Sequence, residues 1–327
     1  MTFSNILNSS KKSFFRDCFD FLKRLCKYNA SVETDSDQKK MEYSLLRQNH
    51  IIEKGLSMNK PHKKFGYDNV KSLCIRLLKY HELYGEKNPL FLHYPISTIH
   101  AYIEYMYSQK TVISEIKELY TKLINVSKCT VINDIAGISV IKKDELLNKA
   151  FDFEKFVNLR HSIRFFSQEN PSQELLNKAL EIAQKTPSAC NRQCWKVHQF
   201  IGQKCTNLLK WQEGARGFEK EPTVAFLITA DLKAFLFHEP FQAYIDGGMY
   251  AMSLIYALHS VGLGTIPLSC GFQSSKLNEM RKTFNIPENE IPIEIIATGV
   301  LSDSFKVAIS KRKNINEVLV KHENPIN

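Results

Sequence analysis

The chain has few of the residues that mark fibrous, disordered or disulfide-framed proteins. Its 327 residues include only 13 glycines, 11 prolines and 2 tryptophans, which excludes a collagen-like or low-complexity protein. The eight cysteines are spread along the whole length, unlike the dense framework of a small secreted domain. We interpret them as reduced thiols. Because Cys190 and Cys194 have no second Cys/His pair at ligand spacing, we expect no metal site.

Long apolar runs are also missing. No segment approaches the roughly 20 apolar residues that a membrane-spanning helix needs, and the N-terminus lacks the apolar stretch of a signal peptide. We therefore expect no membrane span and a cytoplasmic location. With 43% apolar and 24% charged residues, the composition is that of a globular protein. The length favours about two domains of roughly 150 residues each.

Positive charge is in excess, with 44 Lys and Arg against 34 Asp and Glu, a net charge of +10. Such an excess favours anionic partners. The basic residues are spread out, however, and no helix-turn-helix or aromatic RNA-binding strand accompanies them. We expect no nucleic acid, and a small phosphate-bearing ligand fits the charge better.

Residues 1–150 are predicted to form a mostly helical extension. Phe15, Phe19, Leu22 and Leu25 recur at three- and four-residue spacing, which predicts an amphipathic helix. We expect its apolar face to pack on the protein, although its basic residues could instead contact an anionic membrane surface. Further helices are predicted over 70–84 and 96–126.

One polar cluster stands out in this extension. His50, Glu53 and Lys54 are predicted to share a helical face, and Gly55 is predicted to end that helix. Three such groups favour a salt-linked helix surface over a catalytic role, and the function of the region stays open.

After Phe151 the pattern changes to alternating helices and short apolar strands. Strands are predicted at 195–201, 223–229 and 291–298, the second nearly all apolar and hence central in a sheet. Asn170 and Pro171 are predicted to open one helix. A long helix with several small residues is predicted over 241–261. We therefore expect residues 151–327 to form one domain built from helices and strands.

Four polar or basic elements follow one another in this half, and two of them have side chains suited to an anionic, polar ligand. The first is Arg160–Phe166 (Arg-His-Ser-Ile-Arg-Phe-Phe), in which arginine offers a fork of donors to phosphate oxygens. The second is Thr186–Trp195 (Thr-Pro-Ser-Ala-Cys-Asn-Arg-Gln-Cys-Trp), with hydroxyl and amide groups. The third is Gly262–Phe272 (Gly-Leu-Gly-Thr-Ile-Pro-Leu-Ser-Cys-Gly-Phe). The fourth is the basic run Lys306–Lys313.

In this order the four elements resemble those of the nitroreductase family, over about half the chain. The first resembles the family's Arg-x-Ser-x-Arg/Lys-x-Phe, and the second its Ala-Pro-Ser-x-x-Asn-x-Gln-Pro-Trp, with Cys194 in place of proline. The third is similar to the branch that contains reductive deiodinases, and the fourth to the family's basic C-terminal arm.

The resemblance implies an α+β nitroreductase fold: a mixed central sheet flanked by helices, in an interlocked homodimer joined through the 241–261 helix. It also implies one FMN per site, at the dimer interface. The implied flavin-binding residues are Arg160, His161, Ser162, Arg164, Ser188, Asn191, Gln193, Thr265, Pro267, Leu268, Ser269 and Arg312. Among them Arg164 is the expected catalytic residue, placed beside the flavin ring, whereas Arg160 and Arg312 would hold the phosphate.

The resemblance further implies an oxidoreductase in which FMN takes hydride at N5 from NADH or NADPH and passes it to a small organic acceptor, in a ping-pong mechanism. Nitroaromatics and quinones are the acceptors expected. Two alternatives stay open: a reductive dehalogenase or flavin-fragmenting enzyme on the same fold, and a non-catalytic flavin-binding scaffold. The sequence names neither the physiological acceptor nor the preferred nicotinamide.

Overall fold

The computed structural model describes residues 3–31, 36–58, 65–85, 87–131, 135–137, 151–305, 307 and 313–322, with side chains from residue 15 onward. The predicted phosphate contact Arg312 lies outside the described residues.

The N-terminal region is helical, as predicted. Its described helices are α1 (Phe3–Tyr28), α2 (Gln38–Leu56), α3 (Tyr67–Tyr84), α4 (His93–Ser108) and α5 (Ser114–Ser127). The Asp37 carboxylate caps α2 by accepting from the Lys40 backbone N–H at 3.1 Å. Helices α2 to α5 enclose a core whose central members are Leu45, Leu73, Tyr80, Ile99 and Leu123.

The helix predicted around Phe15–Leu25 is present, but the prediction that this stripe packs on the protein was wrong. Phe15, Phe19 and Leu22 are 53–68% exposed, and only Leu25 is buried. A second stripe, Phe21, Leu25 and Tyr28, packs on the C-terminal half instead. The two stripes share Leu25, so helical spacing alone could not decide which one faces inward.

Gly55 does not end α2, contrary to the prediction, because the helix continues to Leu56 and is capped at Ser57. A Cβ at position 55 would overlap the Phe65 ring. The glycine therefore serves close packing inside the helix and not termination.

The C-terminal half is an α+β unit. Its described helices are α6 (Phe153–Leu159), α7 (Gln173–Ala183), α8 (Gln203–Leu209), α9 (Gln242–Ser260) and α10 (Ser274–Phe284). Its strands are β1 (Trp195–Ile201), β2 (Val224–Asp231), β3 (Leu263–Ser269) and β4 (Glu290–Val300). They pair in the order β1-β2-β4-β3 and are all antiparallel. Outside these strands, an isolated parallel bridge joins Ser162 to Thr265.

Most of the predicted elements agree closely with these bounds, and one start differs. Helix α7 begins at Gln173, and the Ser172 hydroxyl caps it by accepting from the Leu175 N–H at 3.3 Å. The prediction that Asn170 caps this helix was therefore wrong. Ser172 has extended backbone geometry, with φ −65° and ψ 146°, which places the helix start after it.

The sheet is covered on both faces. Helices α7 and α9 cover one face around Phe226 and Leu254, and α8 and α10 cover the other around Leu227 and Met280. A further apolar cluster joins the two halves of the chain, because Leu25 and Tyr43 pack with Cys194, Ala230, Leu232, Ala234, Phe235, Ala243 and Ile291. Among the described residues, no helix combines the length and apolar character needed to cross a membrane.

All eight cysteines are described and none is bonded to another. Cys194 is fully buried, and burial raises the pKa of its thiol. A protonated thiol without solvent access is unreactive as a nucleophile. In the described ranges, no three His, Cys, Asp or Glu side chains gather as a metal site requires.

Candidate functional site

The first predicted element, Arg160–Phe166, is fixed along β3 and β4. The Ile163 N–H donates to the Thr265 carbonyl at 2.9 Å, and the Ser167 N–H donates to the Val300 carbonyl at 2.9 Å. Phe166 anchors the segment to the sheet. Its ring packs against Gly264 and Gly299, which are paired with each other across β3 and β4. A Cβ on either glycine would approach that ring to about 3 Å. The close approach therefore requires glycine at both positions.

The two arginines of this element have no carboxylate partner among the residues that the structure describes. Arg160, Ser162 and Arg164 are half-buried and His161 is exposed. Neither Arg160 nor Arg164 forms an ion pair with a carboxylate in the described part of the chain. Two half-buried arginines, on a segment that is hydrogen-bonded to β3 and β4, provide donors for an anionic ligand.

The second element forms a tight loop with unusual backbone geometry. Cys190, Asn191 and Gln193 have φ values of 51°, 51° and 47°, in the left-handed region that is costly for residues other than glycine. The Ser188 hydroxyl accepts from the Gln193 N–H at 2.9 Å, and Asp246 accepts from the Ala189 N–H at 3.2 Å. Surrounding contacts therefore hold the loop in a conformation that it would not adopt alone.

Arg192 is the main internal anchor of this loop, and sequence reasoning missed it. Its side chain is completely buried and donates to both carboxylate oxygens of Glu239, at 2.7 and 2.8 Å. It also donates to the carbonyls of Ala234 at 2.7 Å and Ala189 at 2.9 Å, and lies over the Phe235 ring. Glu239 lies 47 positions away, so no spacing in the sequence could have indicated the pair.

The helical region contacts the same loop. The Tyr94 hydroxyl, on α4, donates to Glu53 Oε2 at 2.5 Å, and Asn191 Nδ2 donates to the Tyr94 oxygen at 3.4 Å. Burial raises the pKa of Tyr94, and the bond to Glu53 raises it further. Of the predicted His50, Glu53 and Lys54 cluster, Glu53 is therefore the member that turns toward the site. His50 is half-buried and Lys54 is exposed.

The third element coincides with β3 and its end. Thr265 and Leu268 are buried, Pro267 is half-buried and Ser269 is exposed. The Leu268 side chain belongs to the apolar core on one face of the sheet. A ligand at this strand would therefore meet Leu268 through its backbone.

Within one chain the first and second elements lie near opposite ends of α9. The first and third elements meet at the Ser162–Thr265 bridge. The neighbouring His259, near the end of α9, contacts the Phe156 carbonyl at 3.3 Å. Burial lowers the pKa of His259, and the charges of Arg160 and His161 lower it further.

The second element instead contacts Asp246, near the start of α9. Asp246 and His259 are 259 − 246 = 13 residues apart, which is about 20 Å along a helix. One chain therefore keeps the second element away from the first, while β3 runs from the first element toward the end of the sheet where the second element lies.

Residues 157–300 match the sequence model of the Nitroreductase family. This part of the chain is a nitroreductase-family domain, and its α+β architecture is the nitroreductase fold expected from the sequence.

Individual relatives are distant. The chain is 27% identical over 153 residues to an Archaeoglobus fulgidus protein provisionally named NADH dehydrogenase/NAD(P)H nitroreductase, covering 46% of this chain and 85% of the relative. It is 23% identical over 211 residues to iodotyrosine deiodinase of Danio rerio, covering 54% and 69%. A provisionally named nitroreductase from Desulfovibrio desulfuricans, solved in complex with FMN, aligns with a TM-score of 0.46 and 19% identity over 53% of this chain and 97% of that one.

Proposed function

We propose that this protein is an FMN-dependent oxidoreductase that takes electrons from NADH or NADPH and passes them to a small organic acceptor, such as a nitroaromatic or a quinone. The family domain and the relative named as an NAD(P)H nitroreductase support this proposal. The structural observation that carries it is the Arg160–Arg164 segment, fixed on β3 with two guanidinium groups that lack acidic partners among the described residues.

The residues of the site fit FMN. Arg160 suits a terminal phosphate, because its donors match phosphate oxygens in pairs. Ser188, Asn191 and Gln193 supply hydroxyl and amide groups for the polar edge of the ring. His161, Ser162 and the Thr265–Ser269 strand complete the proposed contacts, and Arg312 would add a second phosphate contact. The sequence has no Gly-x-Gly-x-x-Gly fingerprint, which disfavours a dinucleotide cofactor.

When bound, FMN would supply two-electron redox chemistry that carries hydride from a reduced nicotinamide to the acceptor. The chain's own residues would bind and orient the flavin. Arg164 would stabilise negative charge that develops at the pyrimidine edge of the ring, whereas Arg160 would hold the phosphate in both oxidation states. We assign no nucleophile to the protein.

A homodimer would complete the site. Phe241, which immediately precedes α9, and Ile245, Met249 and Met252 within it are 36–66% exposed and lie on one helical stripe. Such an apolar surface is of the kind that marks an interface. A two-fold pair through α9 would bring the first element of one chain toward the second element of its partner.

This part of the proposal is tested by placing a charge on the stripe. Ile245→Lys should give monomers with weakened FMN binding in sedimentation and flavin titration. Ile75→Lys, at an isoleucine of similar exposure on α3, should leave the dimer intact. A wild-type monomer that holds FMN would contradict the dimer proposal.

The whole proposal is tested by purifying the full chain and analysing its flavin. The protein should be yellow, and the flavin released on denaturation should be FMN and not FAD. Anaerobic addition of NADH or NADPH should bleach the flavin, and a quinone or nitroaromatic should restore its colour. A colourless protein that takes up no FMN would refute the proposal, whereas FMN binding without reductant oxidation would indicate a flavin-binding scaffold.

Reductive dehalogenation is the second candidate, favoured by the similarity to iodotyrosine deiodinase and by the Pro-Leu-Ser-Cys-Gly string at the end of β3. In that reaction two electrons and a proton replace a carbon–halogen bond with carbon–hydrogen, and halide leaves. The deiodinase-containing branch that this string resembles has a sizeable lid over its substrate. Residues 211–222 do not form such a lid, because Ala215 and Phe218 are buried in the core. Halide release from an iodophenol by the reduced protein, with no turnover of quinones, would favour this candidate over the first.

A further inference from the structure

The helical region lies directly against the loop that carries Asn191. Helix α2 packs along this loop, and α4 supplies Tyr94, whose oxygen accepts from Asn191 Nδ2 at 3.4 Å. This contact joins residues 97 positions apart. Tyr94 lies outside the nitroreductase-family match, which covers residues 157–300, whereas Asn191 lies inside it.

The hydrogen bonds of Tyr94 determine which end of the Asn191 amide faces the tyrosine. The single hydrogen of the Tyr94 hydroxyl goes to Glu53 Oε2, at 2.5 Å, so the tyrosine oxygen can only accept from Asn191. Asn191 must therefore present its NH₂ group to Tyr94. On its other side, Asn191 Oδ1 accepts from Gln193 Nε2 at 3.2 Å.

The carboxylate that sets this direction is itself held in place. Glu53 Oε1 accepts from the Gly137 N–H at 3.1 Å, while Oε2 receives the Tyr94 hydroxyl. Both carboxylate oxygens are thus engaged with separate donors. The remaining N–H of Asn191 and a lone pair on its carbonyl are left for a ligand.

We propose that Tyr94 is a positioning residue that holds the Asn191 amide in its flavin-facing orientation, so that the helical region forms part of the flavin site. The inference rests on the proposed function. It gives a role to Glu53, which fixes the tyrosine proton. Asn191 has a left-handed backbone, with φ 51°, and such residues keep their conformation only where neighbouring contacts determine it.

The test compares Tyr94→Phe with Tyr102→Phe in the full chain. Both tyrosines lie on α4 and each donates one hydroxyl hydrogen bond, but Tyr102 donates to the Phe65 carbonyl at 2.8 Å and, within the described residues, makes no hydrogen bond to Asn191. Loss of one net hydrogen bond corresponds to a change of about fivefold in a dissociation constant. Tyr94→Phe should weaken FMN binding about fivefold and shift the visible flavin spectrum, whereas Tyr102→Phe should change neither.

A double-mutant cycle separates local positioning from general loosening of the fold. In an Asn191→Ala background, Tyr94→Phe should cause no further loss of FMN affinity, since the amide it positions is gone. If Tyr94→Phe does not fold, Glu53→Gln serves instead. The glutamine NH₂ can donate to the tyrosine oxygen, which frees the hydroxyl hydrogen and lets the Asn191 amide turn, so FMN binding should weaken in the same way.

Three outcomes would overturn the inference. Wild-type affinity and spectrum in Tyr94→Phe would do so, as would equal weakening by Tyr94→Phe and Tyr102→Phe. Additive losses in the double mutant would also do so. Each of these leaves FMN binding by the wild-type protein intact. A wild-type protein that binds no FMN would instead refute the proposed function, and this inference with it.

Discussion

Replacing Glu239 with glutamine should destabilise the folded protein strongly, because Arg192 would then keep a buried charge without its carboxylate. The Arg192 side chain is fully buried, and the Glu239 side chain is 19% exposed. Breaking a buried ion pair by removing one partner costs about 3–5 kcal/mol. The partial exposure of Glu239 favours the lower end, about 3 kcal/mol, which corresponds to a fall in Tm of roughly 4 °C for a 327-residue chain that unfolds as one unit.

The assay is thermal unfolding of flavin-free protein at neutral pH, followed by circular dichroism. Glu288→Gln is the matched control, because Glu288 also pairs with a basic side chain, Lys27, but at the surface with a side chain that is 60% exposed. Exposed pairs contribute little to stability, so this control should melt as the wild type does. Equal Tm values for Glu239→Gln and wild type would refute the view that the pair anchors the loop.

The ion pair between Arg192 and Glu239 also makes the stability of the folded protein depend on pH. Burial alone would raise the pKa of Glu239, but the hydrogen bonds from Arg192 and from the Leu236 N–H, together with the charge of Arg192, outweigh burial, so the pKa is lowered from its ordinary value of 4.5. A lowered folded-state pKa means that the stabilisation is complete above the unfolded-state pKa and is lost as the pH falls through the folded-state value. The stability gap between wild type and Glu239→Gln should therefore shrink below about pH 4.5. A constant gap down to pH 3 would contradict this assignment.

Two further comparisons follow from burial and from the proposed site. Leu25→Ala should lower the free energy of unfolding by about 2–5 kcal/mol because Leu25 is buried. Phe19→Ala should lower it much less because Phe19 is 66% exposed. Equal losses of unfolding free energy in denaturant melts would refute the assigned buried face of α1. Arg164→Ala should lower the flavin midpoint potential and slow flavin reduction by about tenfold to a thousandfold, with FMN retained. Arg160→Ala should instead lose FMN. Equal FMN loss from both variants in flavin titration would refute this division of roles between the two arginines.

Regular elements were predictable because their patterns are local. The nearly all-apolar run at β2 indicated a central strand, and the structure buries every residue of that strand between β1 and β4. The long helix predicted over 241–261 is α9, with bounds that differ by one residue at each end. Where two local patterns overlapped, as in the two apolar stripes of α1, the sequence could not rank them. Burial against the C-terminal half decided the orientation.

Contacts between distant residues were not predictable. Glu239 meets Arg192 across 47 positions, and Glu53 meets Tyr94 across 41. No periodicity links such partners, because the pairing follows from the folded path of the chain. The sequence did indicate which residue types the site would use at Arg160–Arg164 and Ser188–Gln193. It could not indicate that α9 would hold these two segments at opposite ends.

The loop at Ser188–Gln193 is held from two sides, which bears on whether residues 151–327 form an independent unit. Arg192 holds it from within the C-terminal half, and Tyr94 holds it from the helical region. The same region covers apolar side chains of that half, because Tyr43 packs with Phe235 and its neighbours. Removing residues 1–150 would therefore expose apolar surface and release one of two supports of a loop with unfavourable backbone geometry. We expect the two regions to fold and act as one unit, although the matched family domain occupies less than half of the chain.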